Sequence, residues 1–73
     1  MSDNGPPPIS EELRVAAESV YEGWYSGVKW RPDWEDIVDR VERMSGVDLG
    51  DSMTGPLVLS VKNYINWYRK QDT

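Results

Sequence analysis

The sequence predicts an all-α protein: a compact three-helix bundle with a disordered, Pro-rich N-terminal tail. Three observations predict it. Apolar residues recur at three- and four-residue spacing in three separate stretches, and residues typical of helix starts and stops flank each stretch. The alternation of apolar and polar residues that marks a half-buried strand is missing. With 73 residues the chain has room for one domain. We expect a flexible tail over residues 1–8 and a single helical domain over residues 9–73.

The first helix is predicted over residues 10–26. Three prolines end the tail, and Ser10 then stands where a side chain can cap the free amide groups. Glu11 and Glu12 follow at the positive end of the helix dipole. One apolar stripe continues from there through Leu13, Ala16, Ala17, Val20, Tyr21 and Trp24. Gly27 is the expected left-handed stop of this helix.

The second helix is predicted over residues 33–45. Pro32 suits a helix start, and Asp33 is a candidate cap. The apolar stripe comprises Trp34, Ile37, Val38, Val41 and Met44. Gly46 is the expected stop, with Val47 placed to make the apolar contact that accompanies it.

The third helix is predicted over residues 55–70, after a loop that Leu49 and Met53 anchor to the core. Thr54 or Gly55 caps it, with a proline in the first turn. The run LVLSV suits a strand by propensity, but the helical spacing of Leu57, Val61, Tyr64, Ile65 and Tyr68 favours a helix. This helix is apolar around more of its circumference than the others. We therefore expect it to be central or to contact a second molecule.

The expected core combines residues of all three stripes. Its members are Leu13, Ala17, Val20, Trp24, Trp34, Ile37, Val41, Leu57, Val61, Tyr64 and Ile65. A domain of this size buries only about 60% of the surface that its unfolded chain exposes, so little room remains for further large side chains.

Composition limits the chemistry. The chain has no Cys and no His, so it lacks thiolate ligands and an imidazole that could activate one of its serines. Its carboxylate pairs fall on the polar faces of helices. We therefore expect a protein that is not an enzyme and that needs no cofactor or metal. The start of the chain does not resemble a signal peptide, and no apolar run is long enough to span a bilayer, so a cytoplasmic location is expected.

Aromatic content and charge together predict protein binding. Eight aromatic residues, four of them Trp, are many for so short a chain, whose net charge is -5. Rings that the core cannot hold are candidate anchors for a partner. The predicted partner-binding residues are Tyr25, Trp30 and Trp67, with Asp36 and Asp39 beside them. The expected function is that of an adaptor or inhibitor, with a basic protein, including a nucleic-acid-binding enzyme, among the candidate partners. Self-association is a further expectation, because pairing of two copies would cover the apolar area of the third helix.

One resemblance bears on inhibition. Acidic helices followed by Asp51-Ser52, Leu57-Val58 and Val61-Lys62 with Tyr64 resemble the C-terminal part of the small acidic immunity proteins that inhibit nuclease bacteriocins. The resemblance covers about a third of the chain. The binding helix of that family carries tyrosines, whereas residues 47–50 of this chain contain no aromatic residue. The resemblance therefore implies an acidic inhibitor but assigns no binding residues.

The alternative is a small DNA-binding regulator that acts through the third helix. Lys62, Asn66, Arg69 and Lys70 could address phosphates and base edges there. Residues 57–73 carry a charge of +2, but residues 9–26 and 33–45 each carry -3. Those acidic stretches would repel a duplex, and the loop before the third helix is too long for a compact helix-turn-helix.

Overall fold

The described part of the chain forms three helices, as predicted. The computed structural model describes residues 5–25, 31–50 and 52–71. In these ranges the elements are α1 (Glu11–Val20), a π-helical turn (Tyr21–Tyr25), α2 (Trp34–Ser45) and α3 (Pro56–Gln71), with no strand. Residues 5–10 have no regular secondary structure, and the first four residues of the predicted tail lie outside the described ranges.

The first helix is shorter than predicted, and Ser10 does not cap it as expected. Ser10 has the extended backbone of a cap position, and its carbonyl accepts from the amide of Arg14 at 2.8 Å, but its side chain makes no capping hydrogen bond. The α-helix ends at Val20 and continues as the π-turn. The predicted stop at Gly27 lies outside the described residues.

The second helix begins and ends at the predicted signals. Asp33 accepts a hydrogen bond from the amide of Asp36 at 3.3 Å, which satisfies one free donor of the first turn. Gly46 adopts the left-handed conformation at φ 75°, and its amide donates to the carbonyl of Glu42. Only glycine adopts this conformation without a steric cost, so this residue type is required at the stop.

The loop after α2 is held at both ends by hydrogen bonds. The amide of Leu49 donates to Glu42 at 2.9 Å, and the Leu49 side chain is buried in the core. Met53 packs against the core, as expected for the second anchor. Pro56 is the first residue of α3, and the Gly55 carbonyl accepts from the amide of Leu59 at 2.9 Å, so Gly55 takes the cap position.

The core contains most of the predicted residues and excludes two. Its buried members are Leu13, Ala16, Ala17, Val20, Ile37, Val38, Val41, Leu49, Val58, Val61, Tyr64 and Ile65. Trp34 packs against this cluster while remaining half-buried. Trp24 and Leu57 were expected in the core and are exposed, at 57% and 42%.

Leu57 is exposed because Val58 takes the buried position in the first turn of α3, whereas Val61, Tyr64 and Ile65 are buried as predicted. Val58, Val61 and Ile65 face the core at helical spacing. Leu57 and Leu59 stand on either side of Val58, each about 100° around the helix, which carries both towards solvent. The predicted stripe is therefore correct from Val61 onward, and its first buried member is Val58 rather than Leu57.

The central helix is α1 rather than α3; the other alternative for α3, contact with a second molecule, stays a prediction. Helix α1 packs against both other helices, whereas α2 and α3 have far fewer contacts with each other. Two small residues, Ala16 and Ala17, lie on its buried side. Small side chains allow close approach of neighbouring helices, so α1 can serve as the middle of the bundle although it is the least bulky of the three.

Candidate functional site

A π-turn at the end of α1 decides which aromatic side chain faces inward. Turns closed by i→i+5 hydrogen bonds hold one residue more than α-turns, so the side chain that returns to a given face comes one position later. In an unbroken α-helix Trp24 would follow Val20 onto the core stripe. In the π-turn Tyr25 packs against the core instead, and Trp24 is left outside. Such turns are frequent at functional sites.

Tyr25 is held by a polar network on α2. Its hydroxyl donates to Asp36 Oδ2 at 2.8 Å, and Arg40 Nε donates to the same oxygen at 2.8 Å. The guanidinium carbon of Arg40 lies 3.8 Å from the centre of the Trp24 ring. A single carboxylate therefore positions both the inward tyrosine and the arginine that stacks on the outward tryptophan.

The pKa values of this network follow from its contacts. Burial, and then the neighbouring Asp36 carboxylate, raise the pKa of Tyr25 to about 12. The hydrogen bond from Arg40, and then that from Tyr25, lower the pKa of Asp36. The bond to Asp36 raises the pKa of Arg40. At neutral pH the network therefore contains a neutral phenol, a carboxylate and a guanidinium, which is the combination that its hydrogen bonds require.

An open, shallow pocket of about 270 Å³ lies beside this network. Among the described residues, its lining includes Trp24, Arg40, Arg43 and Met44. We call this group the Trp24 surface. Met44 is 54% exposed, although it was expected on the apolar stripe of the second helix. Trp and Met that are exposed together, with Arg at their edge, form the combination of residue types enriched in protein interfaces.

The structure brings three of the predicted partner-binding residues together. Tyr25 is bonded to Asp36, and Asp39 lies exposed on the same helix, where it pairs with Arg43 at 3.2 Å. All three border the Trp24 surface. Tyr25 is half-buried rather than free for a partner, and Trp30 lies outside the described residues.

Trp67 belongs to another part of the molecule. It lies on α3, half-buried against Tyr64 with ring centres 5.6 Å apart. The Tyr64 hydroxyl donates to Glu18, and the Tyr68 hydroxyl donates to Glu22. We call Tyr64, Tyr68, Glu18 and Glu22 together the tyrosine–glutamate seam. Because each donor–acceptor pair joins α3 to the end of α1, the aromatic residues here hold the bundle together.

The residues of the DNA-binding alternative lie along α3, but most are partly covered. Lys62 places its ammonium 5.7 Å from the centre of the Trp34 ring. Asn66 and Arg69 are half-buried, and Lys70 alone among the four is exposed. A groove-reading helix needs several extended side chains on an open face.

Sequence reasoning missed the residues that form the Trp24 surface. Trp24 was assigned to the core and Met44 to an apolar stripe, and Arg40 and Arg43 were not assigned to any site. One signal was available: Gly23 lowers the helix propensity of the last turn of α1 immediately before Trp24. That signal predicts a weak turn, but it does not predict a π-turn or the side that the indole takes.

Across the described ranges, no group of three or more acidic side chains is arranged to hold a metal ion. No helix within those ranges has the length and apolar character needed to cross a membrane. No known protein family, curated protein or solved structure matches the chain.

Proposed function

We propose that this chain is a non-enzymatic protein-interaction module that docks on a partner through the Trp24 surface. One observation carries the proposal: an indole ring is 57% exposed at the end of α1, although packing it inward would remove a large apolar area from water. The cost of leaving it outside is offset when a partner covers it. Partner binding is still assigned to aromatic residues, and Trp24 is the main one in this proposal.

The neighbours of Trp24 support this role. Arg40 is hydrogen-bonded to Asp36, and its guanidinium carbon lies 3.8 Å from the centre of the indole ring, so little conformational freedom is left for a partner to remove. Met44 adds a flexible apolar side chain that adapts to irregular surfaces. An anchor that is ordered before binding, beside an adaptable neighbour, is what a docking site requires.

Affinity capture from extracts of the native cells tests the proposal. The baits are the wild-type chain, a Trp24→Ala variant and a Leu59→Ala variant. Leu59 is a matched control because it is 43% exposed on α3 and does not line the Trp24 surface. We expect wild type and Leu59→Ala to retain the same polypeptide and Trp24→Ala to lose it while remaining folded by circular dichroism.

A photo-crosslinking amino acid gives an independent measurement. Placed at position 44 it should form a covalent adduct with the partner, and placed at position 59 it should not. Equal recovery of the same proteins by all three baits, with equal crosslinking from both positions, would remove the Trp24 surface from consideration.

A further inference from the structure

The exposed stripe of α2 changes sign along its length. Asp36, Asp39, Arg40, Arg43 and Met44 follow one another at intervals of three, one, three and one residues, which places them on one side of the helix. Each acid pairs with the arginine one turn later, at 2.8 Å for Asp36 and Arg40 and at 3.2 Å for Asp39 and Arg43. The stripe is therefore acidic towards the N-terminus of α2 and basic towards its C-terminus.

This pattern restricts what can cover the Trp24 surface. A uniformly basic partner would be repelled by the arginine half of the stripe, and a uniformly acidic one by the aspartate half. The occupant must carry both signs in the opposite order. A second α2 helix that runs antiparallel to the first meets this condition, whereas a parallel one would bring like charges together.

We infer that the partner is a second copy of this chain, with the two α2 helices packed antiparallel about a two-fold axis. The inference rests on the proposed function, because the same Trp24 surface forms the contact. With Asp39 opposite Arg43, the axis passes beside position 41, next to Arg40, whose charge is paired with Asp36 of its own copy and which stacks on Trp24. In this arrangement Asp39 of one copy faces Arg43 of the other, and the two-fold axis generates a second, identical pair.

Exposure and net charge are compatible with this arrangement. The Arg43 side chain is 80% exposed and the Asp39 side chain 49%, so each can bind the other copy in addition to its neighbour on the helix. Each copy carries a net charge of -5, but that repulsion is screened beyond about 8 Å at physiological ionic strength. The facing pairs are in contact and lose less to screening.

Sedimentation equilibrium of the purified chain over a dilution series measures the association. We expect the mass to rise from 8.4 kDa towards twice that value at concentrations up to about 1 mM. Trp24→Ala should raise the dissociation constant at least about tenfold, because a central tryptophan is a typical hot spot. Leu59→Ala, the matched control, should leave it unchanged.

Charge reversal tests the antiparallel arrangement itself. An Asp39→Arg variant carries two cations at positions 39 and 43, and an Arg43→Asp variant carries two anions there. Each variant alone should be monomeric, since like charges face each other twice. An equimolar mixture should form a heterodimer, detectable by native mass spectrometry, because each position then faces its opposite sign.

Each other outcome overturns the inference in a distinct way. A mass that stays at 8.4 kDa up to about 1 mM would exclude a second copy as the partner. If Trp24→Ala then still fails to capture a different polypeptide that wild type retains, the proposed function holds without this inference. A dimer that persists in Trp24→Ala would place the contact on another face. Charge variants that weaken the dimer but do not recover on mixing would exclude the antiparallel arrangement.

Discussion

The aromatic residues at the two sides of α1 serve different purposes. In the tyrosine–glutamate seam, Tyr64 and Tyr68 stack with ring centres 5.9 Å apart, and their hydroxyls donate to Glu18 of α1 and Glu22 of the π-turn. Their polar ends are satisfied inside the molecule. At the Trp24 surface the indole stacks on Arg40 and otherwise faces solvent. The difference teaches that the number of rings does not decide which of them are exposed; at the end of α1 the π-turn decides it, by packing Tyr25 against the core and leaving Trp24 outside.

The largest effect is expected from Tyr64→Ala in the seam. Tyr64 is buried, and removing a buried aromatic side chain costs about 3–5 kcal/mol. A domain of this length is stable by about 4–11 kcal/mol, so the variant should lose a large part of its stability. Urea unfolding followed by circular dichroism measures the change. A loss under about 1 kcal/mol would mean that the seam does not hold α3 to α1.

The second-largest effect is expected from alkaline pH, which should weaken the seam. Burial and Glu18 raise the pKa of Tyr64 to about 12, and Glu22 and burial raise that of Tyr68 to about 12. Between pH 10 and 12 the unfolded chain loses these protons while the folded chain keeps them. The free energy of unfolding therefore falls as pH rises, by about 2–3 kcal/mol for Tyr64.

Urea unfolding at a series of pH values from neutral to 12 gives this profile. Tyr64→Phe is the control: it is less stable than wild type near neutral pH, and its decline above pH 10 should be shallower. Parallel declines in the two proteins would show that Tyr64 does not contribute to the pH dependence.

Alanine substitutions at two glycines compare the turn before Trp24 with the C-terminal stop of α2. An added Cβ meets no atom within 4 Å at either Gly23 or Gly46, but Gly46 has φ 75° whereas Gly23 does not have a positive φ. Gly46→Ala should destabilise by about 1 kcal/mol because of backbone strain. Gly23→Ala should stabilise by about 0.4–1 kcal/mol because the unfolded chain becomes less flexible. Thermal unfolding of both variants should show changes of opposite sign.

The smallest loss of stability is expected from Trp24→Ala. The ring is mostly exposed, and its stacking on Arg40 contributes about 0.5–1 kcal/mol. Trp34→Ala should cost more, because Trp34 packs against the core. If urea unfolding gave the reverse order, Trp24 would have a structural role, and its exposure would no longer indicate a partner.

The sequence alone determined the helices and most of their ends. Asp33, Gly46 and Pro56 act through their own backbone and near neighbours, so their positions could be predicted from local chemistry. The period of each apolar stripe was likewise predictable, because a helix repeats every 3.6 residues wherever it lies.

Only the tertiary structure decided which side chains those helices leave exposed. The π-turn exchanges Trp24 for Tyr25 at the core, with Tyr25 bonded to Asp36 of another helix. The angle of α3 buries Val58 in place of Leu57. Both outcomes depend on contacts between helices that are distant in sequence, and local propensity carries no information about such contacts. The Trp24 surface is built from those contacts, which is why it could not be predicted from the sequence.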